Sequence, residues 1–174
     1  MKQPPFAPDH QQPNLFSFVQ ENELKARKII EKYPPGRQAS ALVPLLDLAQ
    51  RQNNNWLSKS AIRYVANLLN VAETRAFEVA TFYSMFETEP VGRHCVSVCT
   101  NISCMLRGSD EIVSHLEERL GIKLGESTED GKFYLKKEEE CLAACCGAPM
   151  MMVDHVYHEN LTSIKVDEIL EQLD

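Results

Sequence analysis

The stretch HCVSVCTNISC, residues 94–104, decides how this chain is to be read. Around 93–99 the residues alternate, with Val96 and Val98 to one side and Cys95, Ser97 and Cys99 to the other, which is the two-residue period of a strand. The strand runs directly into CTNISC, a C-x4-C pair of Cys99 and Cys104. Upstream of it the apolar residues recur at helical spacing, and downstream strand and helix patterns mix. The expected class is therefore α+β, an N-terminal helical bundle followed by a small α/β domain.

Upstream, four helices are expected. The first covers about 19–32 and stops at Tyr33-Pro34-Pro35-Gly36, where two prolines and a glycine end helical geometry. The second starts near Arg37 or Ser40 and reaches Gln52, with Leu42, Leu45, Leu46 and Ala49 on one face and Pro44 in or near its first turn. Asn53-Asn54-Asn55 makes a turn. Ser58 or Ser60 then caps a third helix that carries Ile62, Val65, Ala66 and Leu69, and a fourth runs over about 72–86. These last two resemble a helix-turn-helix in length. The acidic chain and the apolar second member, with Phe77, Val79, Phe82, Tyr83 and Phe86, argue for packing instead of DNA reading.

Downstream, Ser109 is expected to cap a helix over 110–120 with Ile112, Val113, Leu116 and Leu120 buried and Gly121 as its stop. A strand over 132–136, a hairpin of 149–153 with Val156-Tyr157 turning at Asp154-His155, and a helix over 166–173 complete the domain. Three parts follow: a flexible arm (1–18) with four prolines, a helical bundle (19–88) and an α/β domain (89–174).

Composition limits the function. The chain has 174 residues, a net charge of −7 and no dense cluster of lysine and arginine, so a nucleic-acid partner is not expected. No apolar run approaches the roughly 20 residues of a membrane span. The N-terminus resembles neither a secretory signal nor a transit peptide, and six cysteines without an export signal point to metal or redox chemistry before disulfides.

The second cysteine pair, C-x3-C at Cys141 and Cys145 in CLAAC, is separated from the first by 36 residues. Four thiolates suit a soft tetrahedral site, zinc or iron–sulfur. Zinc knuckles favour C-x2-C, so the wider loops here favour an iron–sulfur cluster, with zinc as the alternative. Cys95 and Cys146 read as packing residues, although Cys95 shares a strand face with Cys99 and Cys146 adjoins Cys145. His94, His155 and His158 read as strand and hairpin residues. No phosphate-cradling glycine loop and no hydrolytic triad spacing occur.

The segments ATFYSMF (80–86), PVGRHCVSVCTNISCMLRGS (90–109), LGIKLGESTEDGKF (120–133) and ECLAACCGAPMMMVD (140–154) together resemble the small iron–sulfur subunit of the NADH dehydrogenase module of respiratory complex I. The resemblance covers nearly all of the chain beyond residue 18. It implies a thioredoxin-like ferredoxin domain after the helical bundle, with one [2Fe–2S] cluster on Cys99, Cys104, Cys141 and Cys145. Ala144-Cys145-Cys146 departs from the family's single cysteine; Cys145 keeps the C-x3-C spacing, and Cys146 is the alternative. A thioredoxin-like domain also makes Ala148–Pro149 a candidate for a cis bond.

The resemblance further implies an electron-transfer subunit of NADH:quinone oxidoreductase that is not catalytic alone. Its partners are a flavoprotein subunit, which holds FMN and binds NADH, and the other subunits of the complex. It implies a peripheral place on the cytoplasmic face of a bacterial inner membrane, or in the matrix for a mature organellar form. A diaphorase subunit of a soluble NAD-linked hydrogenase or formate dehydrogenase is the near alternative, and a zinc-stabilised interaction module the distant one. An all-cysteine cluster of this kind has a potential near roughly −400 mV. Expected donors to its sulfurs are the backbone N–H groups of Asn101 to Met105 and Ala143 to Gly147 and the helix start at Gly108-Ser109, with Glu138-Glu139-Glu140 lowering the potential. The helical half is expected to dock the partner, with Trp56, Phe77, Phe82 or Tyr83 as its anchor.

Overall fold

A computed structural model describes residues 6–137 and 141–174. The chain divides into two compact units, Met1–Pro90 and Val91–Asp174.

In the first unit, helices form where the apolar stripe can be buried. These are α1 (Gln20–Ile30), α2 (Leu42–Gln52), α3 (Lys59–Leu68) and α4 (Glu73–Phe82). A 3₁₀ turn, Gln38–Ala41, leads into α2, so Pro44 falls in the first turn, where its missing N–H has no helical partner to lose. Ser58 caps α3 by accepting the Ala61 N–H at 3.2 Å. Leu45, Leu46, Ala49, Leu57, Ile62 and Val65 form the centre of the core.

Two expectations change here. Helix α4 ends at Phe82, four residues early, because Tyr83 turns extended and the buried Gln50 side chain holds the following segment. Its Nε2 donates to the Met85 carbonyl at 3.0 Å and its Oε1 accepts the Glu87 N–H at 2.8 Å. Those bonds satisfy backbone groups of the segment that follows the helix. The proline content predicts a loose arm, yet residues 6–18 pack on the bundle. Phe6 meets Phe77 edge-on, and Phe16 and Phe18 both meet Tyr64. Ala7 donates to the Thr88 carbonyl, and Gln12 accepts from Lys59 N–H. Its phenylalanines anchor the segment, and Asp9–Gln11 form a 3₁₀ turn within it.

The second unit contains β1 (His94–Val98), α5 (Ile102–Met105), α6 (Ser109–Leu120), β2 (Glu126–Ser127), β3 (Phe133–Leu135), β4 (Met151–Val153), β5 (Val156–His158) and α7 (Ser163–Glu171). The sheet order is β2-β3-β1-β4-β5, with β1 parallel to β3 and every other pair antiparallel. Val96 and Val98 share a core with Ile112 and Leu116 of α6 and Val166, Ile169 and Leu170 of α7, as the alternation in β1 requires. The opposite parity of residues, Cys99, Met150 and Met152, belongs to a separate apolar cluster with Cys104, Leu142 and Ala148. Asp154 and His155 turn the hairpin with positive φ at both positions. The Ala148–Pro149 bond is cis.

Three local details differ from the sequence reading. Gly108, left-handed with φ 88°, is the residue before α6, and Ser109 is its first residue with a buried hydroxyl that caps nothing. Thr162 caps α7 through the Lys165 N–H, so that helix starts at Ser163, earlier than expected. The two-residue β2 carries no alternation and gave no sequence signal.

Candidate metal centre

The parallel ladder to β3 and the antiparallel ladder to β4 hold β1 at the centre of the sheet, so its exit is fixed. Cys99 lies one residue past β1, and its N–H donates to the Met150 carbonyl at 3.1 Å. The chain then makes the single turn α5, which carries Cys104. Both thiols are buried, each 2% exposed. Cys141 and Cys145 are exposed, the latter opening a 3₁₀ turn, Cys145–Gly147.

Cys99 and Cys104 are buried in one apolar cluster, and Cys104 and Cys141 help to lower the pKa of Cys99 while Cys145 helps to raise that of Cys104. Among the described residues no three His, Cys, Asp or Glu side chains converge as they would on a single ion. Burial opposes ionisation of Cys99, but the N–H groups of Leu142 and Asn101, together with the thiols of Cys104 and Cys141, outweigh it and hold its pKa below the ordinary value. Cys104 is pushed up to about 11, first by burial and then by the hydrogen bond and charge of Cys99; the Met150 N–H works the other way. The two inner thiols are thus shifted in opposite directions, Cys99 down and Cys104 up, and a bound cation would favour the thiolate at both.

A donor set of four sulfurs, two of them dry and supplied with backbone N–H groups, suits an anionic iron–sulfur group. Of the donors expected from sequence, Asn101 takes that role. Leu142 and Met150 fall outside the expected ranges; Met150 lies one residue before β4, whose pairing with β1 sets Met151 against Val98. The acidic triplet Glu138-Glu139-Glu140 lies outside the described residues.

The other candidates stand apart from this chemistry. Cys95 is half-buried, its Sγ 3.9 Å from Ser97 Oγ and its N–H bonded to Asp154 Oδ1. Cys146 is exposed in the same turn as Cys145. His94 Nδ1 lies 2.5 Å from Asp154 Oδ2, a strand-to-hairpin tie. Of the aromatic anchors, Trp56 is buried and Phe77 packs on the core, leaving Phe82 and Tyr83 exposed beside a groove with Arg75, Glu78 and Val79.

The family model of the thioredoxin-like [2Fe–2S] ferredoxin matches residues 26–174. The chain belongs to this family. As a thioredoxin-like [2Fe–2S] ferredoxin it is 51% identical over 157 residues to an NADH-quinone oxidoreductase subunit from Rickettsia typhi, covering 90% of this chain and 92% of that one. It is 47% identical over 165 residues to the mitochondrial NADH dehydrogenase [ubiquinone] flavoprotein 2 of Dictyostelium discoideum, covering 95% of this chain and 66% of the relative. A solved NAD+-reducing [NiFe]-hydrogenase in its air-oxidised state shares the fold, with a TM-score of 0.61 at 20% identity over 74% of this chain and 22% of that chain. No helix among the described residues of this ferredoxin is long and apolar enough to cross a membrane.

Proposed function

We propose that this chain is the electron-transfer subunit of an NADH:quinone oxidoreductase, with a [2Fe–2S] cluster held by Cys99, Cys104, Cys141 and Cys145. The carrying observation is the family match over residues 26–174, beside two cysteines, Cys99 and Cys104, buried in one apolar cluster where β1 leaves the sheet. It is supported by relatives about half identical over nine-tenths of the chain that are named as subunits of that enzyme.

A cluster bound there supplies a one-electron acceptor for the FMN of a partner flavoprotein subunit. The chain's own residues do the rest. Leu142, Ala148 and Met150 keep water from Cys99 and Cys104. The N–H groups of Asn101, Leu142 and Met150 spread the negative charge of their sulfurs. Cys141 and Cys145, being exposed, give the site its open side. NADH and FMN belong to the partner, and the subunit sits peripherally, on the cytoplasmic face of a bacterial membrane or in the matrix of an organelle. The diaphorase alternative rests on the hydrogenase likeness, which at 20% identity carries the fold alone.

Iron, zinc and sulfide assays on the anaerobically purified chain, followed by EPR after dithionite reduction, test this reading. About two irons and two sulfides per chain are expected, with a rhombic or axial signal that Cys99→Ser and Cys141→Ser abolish. One zinc with no signal would replace the electron carrier with a structural zinc module.

A further inference from the structure

Among the described residues, seven non-glycines have positive φ, and six of them are Asn54, Asn55, Asn70, Asp154, His155 and Asn160. Those residue types tolerate left-handed backbone, since a short polar side chain can bond locally. The seventh is Ala143, with φ 58°, and it has no such compensation. A left-handed residue that its own side chain does not favour must be held there by its surroundings.

Those surroundings are the outer cysteine loop. On one side Leu142 is buried among Cys99, Cys104, Ala148 and Met150, and its backbone N–H helps to hold the pKa of Cys99 down. On the other side Ala144 accepts the Gly147 N–H at 3.0 Å, closing the turn that carries Cys145. Gly147 fixes that turn from behind, since a Cβ there would lie 2.5 Å from the Glu159 Cβ. The chain therefore passes from a buried leucine to an exposed cysteine turn across one left-handed residue.

We propose that Ala143 is a positioning residue of the cluster site, whose left-handed backbone aims the Leu142 N–H at Cys99 Sγ and so raises the cluster's potential. The inference rests on the four-cysteine reading above. Reduction adds one negative charge, and a sulfur that accepts an N–H carries the added charge more easily. The Ala143 side chain is itself exposed, so a larger residue meets no core there. Any effect of substitution runs through φ. Glycine and asparagine adopt the left-handed region readily, and valine strongly disfavours it.

The test compares the full chain with Ala143→Gly, Ala143→Asn and Ala143→Val, each reconstituted with iron and sulfide, by potentiometric titration read by EPR. The glycine and asparagine variants are expected to match the parent. At the parent's midpoint, the valine variant is expected to show a ratio of reduced to oxidised cluster about three- to tenfold lower, tenfold being 59 mV for one electron. A valine variant with the parent's potential and g-values overturns the proposal, as does a glycine variant shifted as far as valine. Amide exchange of Leu142 in the cluster-free chain gives a second reading. It should be slow in the parent and the glycine variant and at least about tenfold faster in valine; equal exchange rates overturn the proposal even if valine takes up no iron. A parent chain without iron sinks the four-cysteine reading, while the exchange comparison still decides the role of Ala143.

Discussion

At Cys104, burial and the neighbouring sulfur together raise the thiol pKa to about 11, and the side chain is 2% exposed. Because the thiolate is the nucleophile, the cluster-free, reduced chain should react with iodoacetamide at pH 8 on Cys141, Cys145 and Cys146 and leave Cys104 unlabelled. In the folded chain the Cys104 rate should climb about tenfold per pH unit until the pH nears its pKa, and unfolding in urea should remove the protection, as peptide mass spectrometry can show. Labelling of Cys104 at pH 8 as fast as Cys146 would contradict this. The linked stability change has a definite sign. Folding keeps on Cys104 a proton that the unfolded chain releases above its ordinary value of 9.0, so this group's contribution is full below 9.0 and is lost as pH rises through about 11. The cysteines themselves were legible from their spacing. Their inequality was not, since C-x4-C and C-x3-C look alike in sequence, and only the packing of Leu142, Ala148 and Met150 with Cys99 and Cys104 makes one pair dry.

Between elements, Gly92 lies tight against β3. A Cβ on Gly92 would lie 2.4 Å from the Phe133 carbonyl carbon and 2.7 Å from the Tyr134 nitrogen, both main-chain atoms that cannot rotate away. Gly131, in the same unit, has φ 68° and open space around a Cβ. Alanine at 131 therefore incurs only the left-handed backbone penalty, about 1–2 kcal/mol. Alanine at 92 must push β1 off β3, which is expected to cost more, about 3 kcal/mol or above. Urea unfolding should place the Gly92→Ala midpoint at least about 1 M below that of Gly131→Ala; equal midpoints would mean that the sheet yields freely at this edge. The same contrast explains what sequence could give at this scale. Alternation announced β1, and the cap at Ser58 announced α3, because each signal is local. The end of α4 was not visible, since it depends on Gln50 reaching across to Met85 and Glu87. Nor was β2, whose two exposed residues exist as a strand only through their ladder to Tyr134 and Leu135.

Over the whole molecule, the helical core and the sheet core have no residue in common, and the cysteine cluster is apolar in its own right. The change of pattern near residue 90 foretold a change of architecture, because helical and strand periods bury different faces. A consequence is that damage to one core should be read out in one unit. Leu46 is fully buried in the helical core, and Leu46→Ala should destabilise that unit by about 2–5 kcal/mol through lost burial and a residual cavity. Leu116, fully buried between α6 and the sheet, should lose a similar amount on truncation. The two variants should part company at the metal centre. Leu116 shares its core with Val98, the residue before Cys99, so Leu116→Ala should shorten the lifetime of the reconstituted cluster on warming. Leu46→Ala should leave the EPR g-values and midpoint potential at those of the parent while the loss of helical circular dichroism begins at a lower temperature. If Leu46→Ala instead loses its cluster in step with its helices, the two cores unfold as one cooperative body and the division at residue 90 has no energetic meaning.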